Sequence, residues 1–217
     1  MITHINSIGK IGFWSAICSA FFYITFDIVA ILSLKGPLVS QYWTSIWTYT
    51  PSLFLALSFV ALMVSIHYYA PRELKLWSHI GLAFAGIYAT LNCFIYIIQI
   101  LIIAPSMLNN QLANVALFEM GPNKPLYVVN ALAYSIMGLS TLFSAFVFKG
   151  NGLVKTVKTV LIVHGAVAPT IVGSLIWKPF LFVSASVGIS YPIAAILIAV
   201  LFYMRYRKSQ LSDACIS

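Results

Sequence analysis

Charge is what this sequence has least of. Among 217 residues only 7% are charged, and four are acidic: Asp27, Glu73, Glu119 and Asp213. A soluble domain carries about 25% charged residues, so that class is excluded. Catalysis by paired carboxylates has little to draw on, because Glu73 falls in a basic turn, Glu119 in a polar connection and Asp213 in the tail. Cysteine is scarce too. Cys18 and Cys93 lie inside apolar runs and Cys215 in the tail, with no CxxC or Cys/His spacing for zinc or redox work. No HExxH or Glu-x-x-His pattern, nucleophile elbow, Walker loop or dinucleotide fingerprint occurs, so neither a metal nor a cofactor is expected. A cleavable signal peptide is not expected either, since the first apolar run is too long and no A-x-A site follows it.

What the chain has instead is hydrocarbon. It is 61% hydrophobic and 15% aromatic, with a mean hydropathy of +0.98. Six apolar runs can be marked, at about 11–34, 50–70, 76–104, 127–148, 156–176 and 180–204. Each is long enough to cross a bilayer core of roughly 30 Å at 1.5 Å per residue. The fold class expected is therefore all-α: a single polytopic domain, 1–217, built as a bundle of six transmembrane helices. Gly36-Pro37 follows the first run, Pro51 opens the second, Ala70-Pro71 closes it, and Pro105 closes the third. The five tryptophans, Trp14, Trp43, Trp47, Trp77 and Trp177, fall at or near run boundaries, as an interfacial belt requires. Within the 105–125 connection, apolar residues recur at near-helical spacing, consistent with a short interfacial helix or an ordered loop.

The net charge of +8 is distributed by side. Lys10, Arg72, Lys75, Lys149, Lys155, Lys158, Arg205, Arg207 and Lys208 fall in one set of alternating loops, and Lys35, Lys124 and Lys178 in the other. By the positive-inside rule both termini are cytoplasmic. Cations dispersed over short loops give no reason to expect a nucleic-acid partner, whereas the Arg205, Arg207 and Lys208 cluster suits a flank that meets anionic lipid.

Four of the runs carry polar and small residues at helical spacing. The first has Ala16, Ala20, Tyr23, Asp27 and Ala30, with Ser19 beside them. The third has Gly81, Ala85, Tyr88, Asn92, Tyr96 and Gln99. The fourth has Asn130, Tyr134, Gly138, Thr141 and Ala145, and the sixth Ser184, Gly188, Tyr191 and Ala195. Small residues allow close helix approach, and hydroxyls and amides can bond across it. Asp27 stands out, because a carboxylate at this depth is costly unless neutralised, paired or hydrated.

With the amino terminus inside, Asp27, Gln99 and Asn130 share the outer half of their spans, with Tyr23, Asn92, Tyr96 and Tyr134 nearby. These seven form a candidate ligand pocket opening outward between spans one, three and four. The same residues could instead be a buried polar network that locks the bundle. His164, inside the fifth run just before Gly165 and Pro169, could relay protons or simply pack beside a kink. His67 and His79 read as interfacial anchors. The arrangement suits binding or transport of a small polar, cationic or amphipathic molecule, with tyrosine faces and a carboxylate receiving the charge. Alternatives are a membrane-embedded lipid-modifying enzyme and an accessory subunit of a membrane complex. The chemistry leans away from catalysis, since no nucleophile, base and oxyanion donor converge. Membrane lipid is an expected partner, and oligomers are compatible with the apolar exterior.

The block "TPSLFLALSFVALMVSIHYYAPRELKLWSHIGLAFAGIYA" at 50–89, with "LAYSIMGLSTLFSAFVF" at 132–148, resembles a family of small bacterial integral membrane proteins of unknown function. That resemblance implies a six-span protein of the bacterial inner membrane and carries over no catalytic residue.

Overall fold

The computed structural model describes residues 2–214, with the side chains at 2–6, 209 and 211–214 excluded. Cys215 therefore lies outside the described residues. Nine α-helices and no strand occur among the described residues: α1 (Ile2–Leu32), α2 (Gln41–Tyr69), α3 (Lys75–Ile98), α4 (Ala104–Leu108), α5 (Leu112–Val115), α6 (Pro125–Ala145), α7 (Leu153–Val167), α8 (Thr170–Ile176) and α9 (Phe180–Ala214). Six segments are long and apolar enough to cross a membrane: 7–35, 41–69, 72–108, 125–145, 153–176 and 180–208. The protein is an integral membrane protein of the all-α class.

The six spans close into a ring. Helix α1 packs on α2, α2 on α3, α3 on α6, α6 on α7, α7 on α9, and α9 returns to α1. The polar and small stripes turn inward: Ala16, Ala20, Tyr23, Ala85, Tyr88, Asn92, Tyr96, Tyr134, Thr141, Tyr191 and Ala195 are all buried. Every span contributes a ring to the centre. Tyr23 contacts Tyr191 and Tyr134, Tyr88 contacts Phe59 and Tyr134, and Tyr191 contacts Phe59 and His164, with centroids 5.0–6.4 Å apart. Such T-shaped and tilted aromatic pairs contribute about 0.5–1.5 kcal/mol each beyond burial.

Small residues set the closest crossings. A Cβ at Gly165 would lie 2.5 Å from Leu142 Cβ and 2.6 Å from the Gly138 carbonyl, and one at Gly138 would collide with Ala168. Helices α6 and α7 therefore touch backbone to backbone. At the basic end, a Cβ at Gly9 would sit 3.3 Å from Tyr206 Cβ. Arg205 lies 4.1 Å over the Tyr69 ring, and Tyr69 packs on Phe148.

Prolines punctuate the spans differently from the sequence expectation. Helix α2 starts at Gln41, where Ser40 Oγ accepts from the Trp43 amide at 3.4 Å, so Pro51 is a buried interior residue rather than the first. Thr48 and Ser52 return their hydroxyls to the Thr44 and Thr48 carbonyls, so the polar 41–50 stretch satisfies itself inside a helix. Pro105 does not end the third span either. Helix α3 passes through a π-helical stretch, Gln99–Ile103, into α4. Pro105 offers no N–H to the Leu101 carbonyl, and the wider turn immediately before it accommodates that loss. The fifth span breaks at Ala168-Pro169 into α7 and α8, and Ser135 Oγ donates to the Ala168 carbonyl there at 3.1 Å.

The 105–125 connection holds the one-turn helix α5 and a 3₁₀ turn, Ala116–Phe118. Its fastenings are Gln99 Nε2 to the Phe118 carbonyl at 2.6 Å and Lys124 Nζ to the Ala116 carbonyl at 2.9 Å.

Candidate functional site

Asp27 opens into a cleft of about 320 Å³ at the loop end of the ring. The lining comes from four elements: Tyr23, Phe26 and Asp27 on α1, Asn130 and Tyr134 on α6, Ile171 on α8, and Leu181, Ser184, Val187 and Gly188 on α9. Helical spacing explains the first set, since 23 and 27 stand one turn apart on the inward face of α1. Asp27 lies eight residues before Lys35, or roughly 12 Å along the helix, so it sits well inside the apolar span. Gly188 faces it: a Cβ there would be 3.4 Å from one carboxylate oxygen and 3.5 Å from the other. Glycine thus lets α9 approach the acid without covering it.

No hydrogen bond or ion pair to Asp27 occurs among the described residues, where the ion pair present joins Lys124 and Glu119 at 3.9 Å. The half-buried carboxylate is thus unpartnered. Tyr23, one turn before it on α1, is in contact with Tyr191 and Tyr134. Phe26 stacks on Tyr134 at 6.4 Å, and together with Tyr23 these rings form an aromatic wall beside the acid.

The seven residues marked in the sequence divide into three groups. Tyr23, Asp27, Asn130 and Tyr134 line the cleft. Asn92 and Tyr96 lie behind it, bonded to two of those. Asn130 Nδ2 donates to Asn92 Oδ1 at 3.1 Å and to Tyr96 OH at 3.0 Å, and Tyr96 OH donates to Tyr134 OH at 3.1 Å. This chain ties α3 to α6 and fixes the angle at which Asn130 and Tyr134 face the acid. Gln99 does neither; it is buried and spends its amide on the Phe118 carbonyl, fastening the loop.

His164 does not line the cleft. It is fully buried on α7, with Nδ1 3.1 Å from Ser190 Oγ, Nε2 without a partner, and its ring 5.4 Å from Tyr191. Tyr191, which also pairs its hydroxyl with Ser19, touches both His164 and Tyr23. His67 and His79 lie in tilted contact near the basic end, centroids 4.2 Å apart, and His67 Nδ1 pairs with Ser78 Oγ at 2.9 Å. No group of three metal-ligating side chains occurs among the described residues.

Phe26, which helical spacing turns away from the Asp27 stripe, and the α8 and α9 residues are the part of the cleft that sequence reasoning does not join to Asp27. The sixth stripe contained Ser184 and Gly188, but spacing along a helix does not reveal which helix is its neighbour. The ring order supplies that, by returning α9 to α1.

No family model matches the chain, and neither a curated protein nor a solved structure does. The resemblance carried by 50–89 and 132–148 thus finds no match. What stands is the class: an integral membrane protein with six spanning helices.

Proposed function

We propose that this protein binds a small organic cation with an apolar body at the Asp27 cleft, and that it does so as a membrane transport or binding protein. One observation carries the reading. A carboxylate well inside an apolar span is left without a partner while an aromatic wall and two α6 polar side chains face the same space. A cation seated there neutralises the acid and gains cation–π contact with Tyr23 and Tyr134. The neighbouring polar groups are committed: Asn130 uses its amide N–H groups on α3, and Tyr96 donates to Tyr134. Tyr134 accepts in that bond, which holds its ring beside the acid for cation–π contact.

Transport is supported by the build of the fifth and sixth spans. The break at Ala168-Pro169 and the interior Pro192 lie on the two spans whose residues complete the cleft. Discontinuous spans beside a central site are a common means of alternating access. His164, one turn before the break with Nδ1 on Ser190 and Nε2 left unbonded, is the candidate proton relay. The cation asymmetry favours a cytoplasmic basic end with both termini inside and the cleft toward the outer face; a bacterial inner membrane is what the resemblance of 50–89 and 132–148 implies.

The test uses purified protein in nanodiscs with tetraphenylphosphonium as probe, read by calorimetry. Asp27→Asn keeps the shape and removes the charge, and should weaken binding by about tenfold or more, as loss of a charge-assisted contact implies. Equal affinity of the two proteins would defeat the proposal. Uptake into proteoliposomes then separates transport from binding alone.

A further inference from the structure

A second cavity, of about 700 Å³, lies at the basic end between the start of α7 and the last turns of α9. Its floor is apolar, made by Leu153 and Val154 on α7 and Leu201 and Met204 on α9. Its rim holds Arg205, Arg207 and Lys208. We infer that this groove is a binding site for one anionic phospholipid, with acyl chain along the floor and headgroup phosphate at the rim.

Charge complementarity commits the occupant. Among the described residues three cations and no carboxylate line the groove, and none of the three is in an ion pair. Residues 204, 205 and 208 follow 201 by three, four and seven positions, so one face of α9 passes from hydrocarbon to positive charge within two turns. That transition is the profile of a phospholipid at the edge of a bilayer. Arg205 is held with its guanidinium 4.1 Å over the Tyr69 ring, so the charge is positioned before a ligand arrives. Helix α7 also begins here with Gly152, which provides no side-chain cap, and its first-turn amides add to the positive potential. A flank that only attracts anionic membrane needs the charges alone; this one has a fitted apolar floor as well.

The inference does not depend on the Asp27 cleft, which lies at the opposite end of the ring. Delipidated protein in a zwitterionic detergent is titrated with dioleoyl phosphatidylglycerol and, separately, dioleoyl phosphatidylcholine, and complexes are counted by native mass spectrometry. One saturable phosphatidylglycerol is expected, with phosphatidylcholine much weaker and glycerol phosphate unable to compete. Arg207→Gln with Lys208→Gln should weaken it about twenty-five-fold, at roughly fivefold per cation. Met204 is 57% exposed, so Met204→Trp can fill the groove without entering the core. It should weaken binding comparably while leaving every cation in place. Loss with the charge variant but not with Met204→Trp means surface attraction only and overturns the site. Equal uptake of both lipids, or no change in either variant, overturns it too. Should Met204→Trp unfold, Asn151→Trp at the exposed groove edge replaces it under the same criteria.

Discussion

Asp27 and Asn130 face one cleft yet should respond oppositely to removal. Asp27 has no partner to lose, so Asp27→Leu should leave insertion intact and raise stability by about 1 kcal/mol, by deleting an unpaired polar group. Thermal unfolding in detergent reads this, and a clear fall in Tm would make the acid part of the scaffold. Asn130 donates to both Asn92 and Tyr96, and Asn130→Ala should cost about 1–3 kcal/mol by leaving those acceptors unmet. The contrast separates a ligand pocket from a polar lock, which the sequence left as two readings of one set. Asp27 was conspicuous from composition alone, and Tyr23 followed from helical spacing. Gln99 shares their depth, yet depth does not fix which way a side chain turns, and its amide donates to the Phe118 carbonyl. His164 was visible as an intramembrane imidazole, but its partner Ser190 lies on a different span, which periodicity cannot assign.

Among the elements, the α6–α7 crossing is the least tolerant of added volume. Gly165→Leu would drive a side chain into Leu142 and the Gly138 carbonyl, so the two helices must separate. A loss of about 3 kcal/mol or more is expected, with a lower Tm and reduced yield. Gly86, whose added Cβ would meet nothing within 4 Å, is the control: Gly86→Leu should be close to neutral. The π-helical stretch gives a further expectation. Gln99→Ala releases the fastening at Phe118, so limited proteolysis should cut the 109–124 connection sooner while the spans stay folded. An unchanged cleavage rate would mean that Lys124 and the packing of Leu112, Val115 and Met120 hold the loop without Gln99. Spans were legible because twenty apolar residues in a row permit one structure in lipid. The helical 41–50 stretch was not, because its hydroxyls look like loop composition until they are seen returning to their own backbone.

For the molecule as a whole, the charge asymmetry makes a topological prediction. In a background with Cys18, Cys93 and Cys215 changed to serine, a cysteine at 124 should react with an impermeant maleimide on intact cells, and one at 155 only after permeabilisation. The reverse pattern would turn the cleft toward the cytoplasm. The closed ring also bears on how the protein is made. Helix α1 precedes every other span in the chain and α9 follows them, yet the two lie side by side, with Gly9 and Gly12 against Tyr206 and Phe202. During synthesis α1 therefore waits through four intervening spans before its second neighbour arrives. Until then Asp27 faces lipid or the insertion machinery where Gly188 will later stand. The cleft is the last part of the molecule to exist, and a chain that stalls before α9 displays a bare acid, a ready mark for quality control.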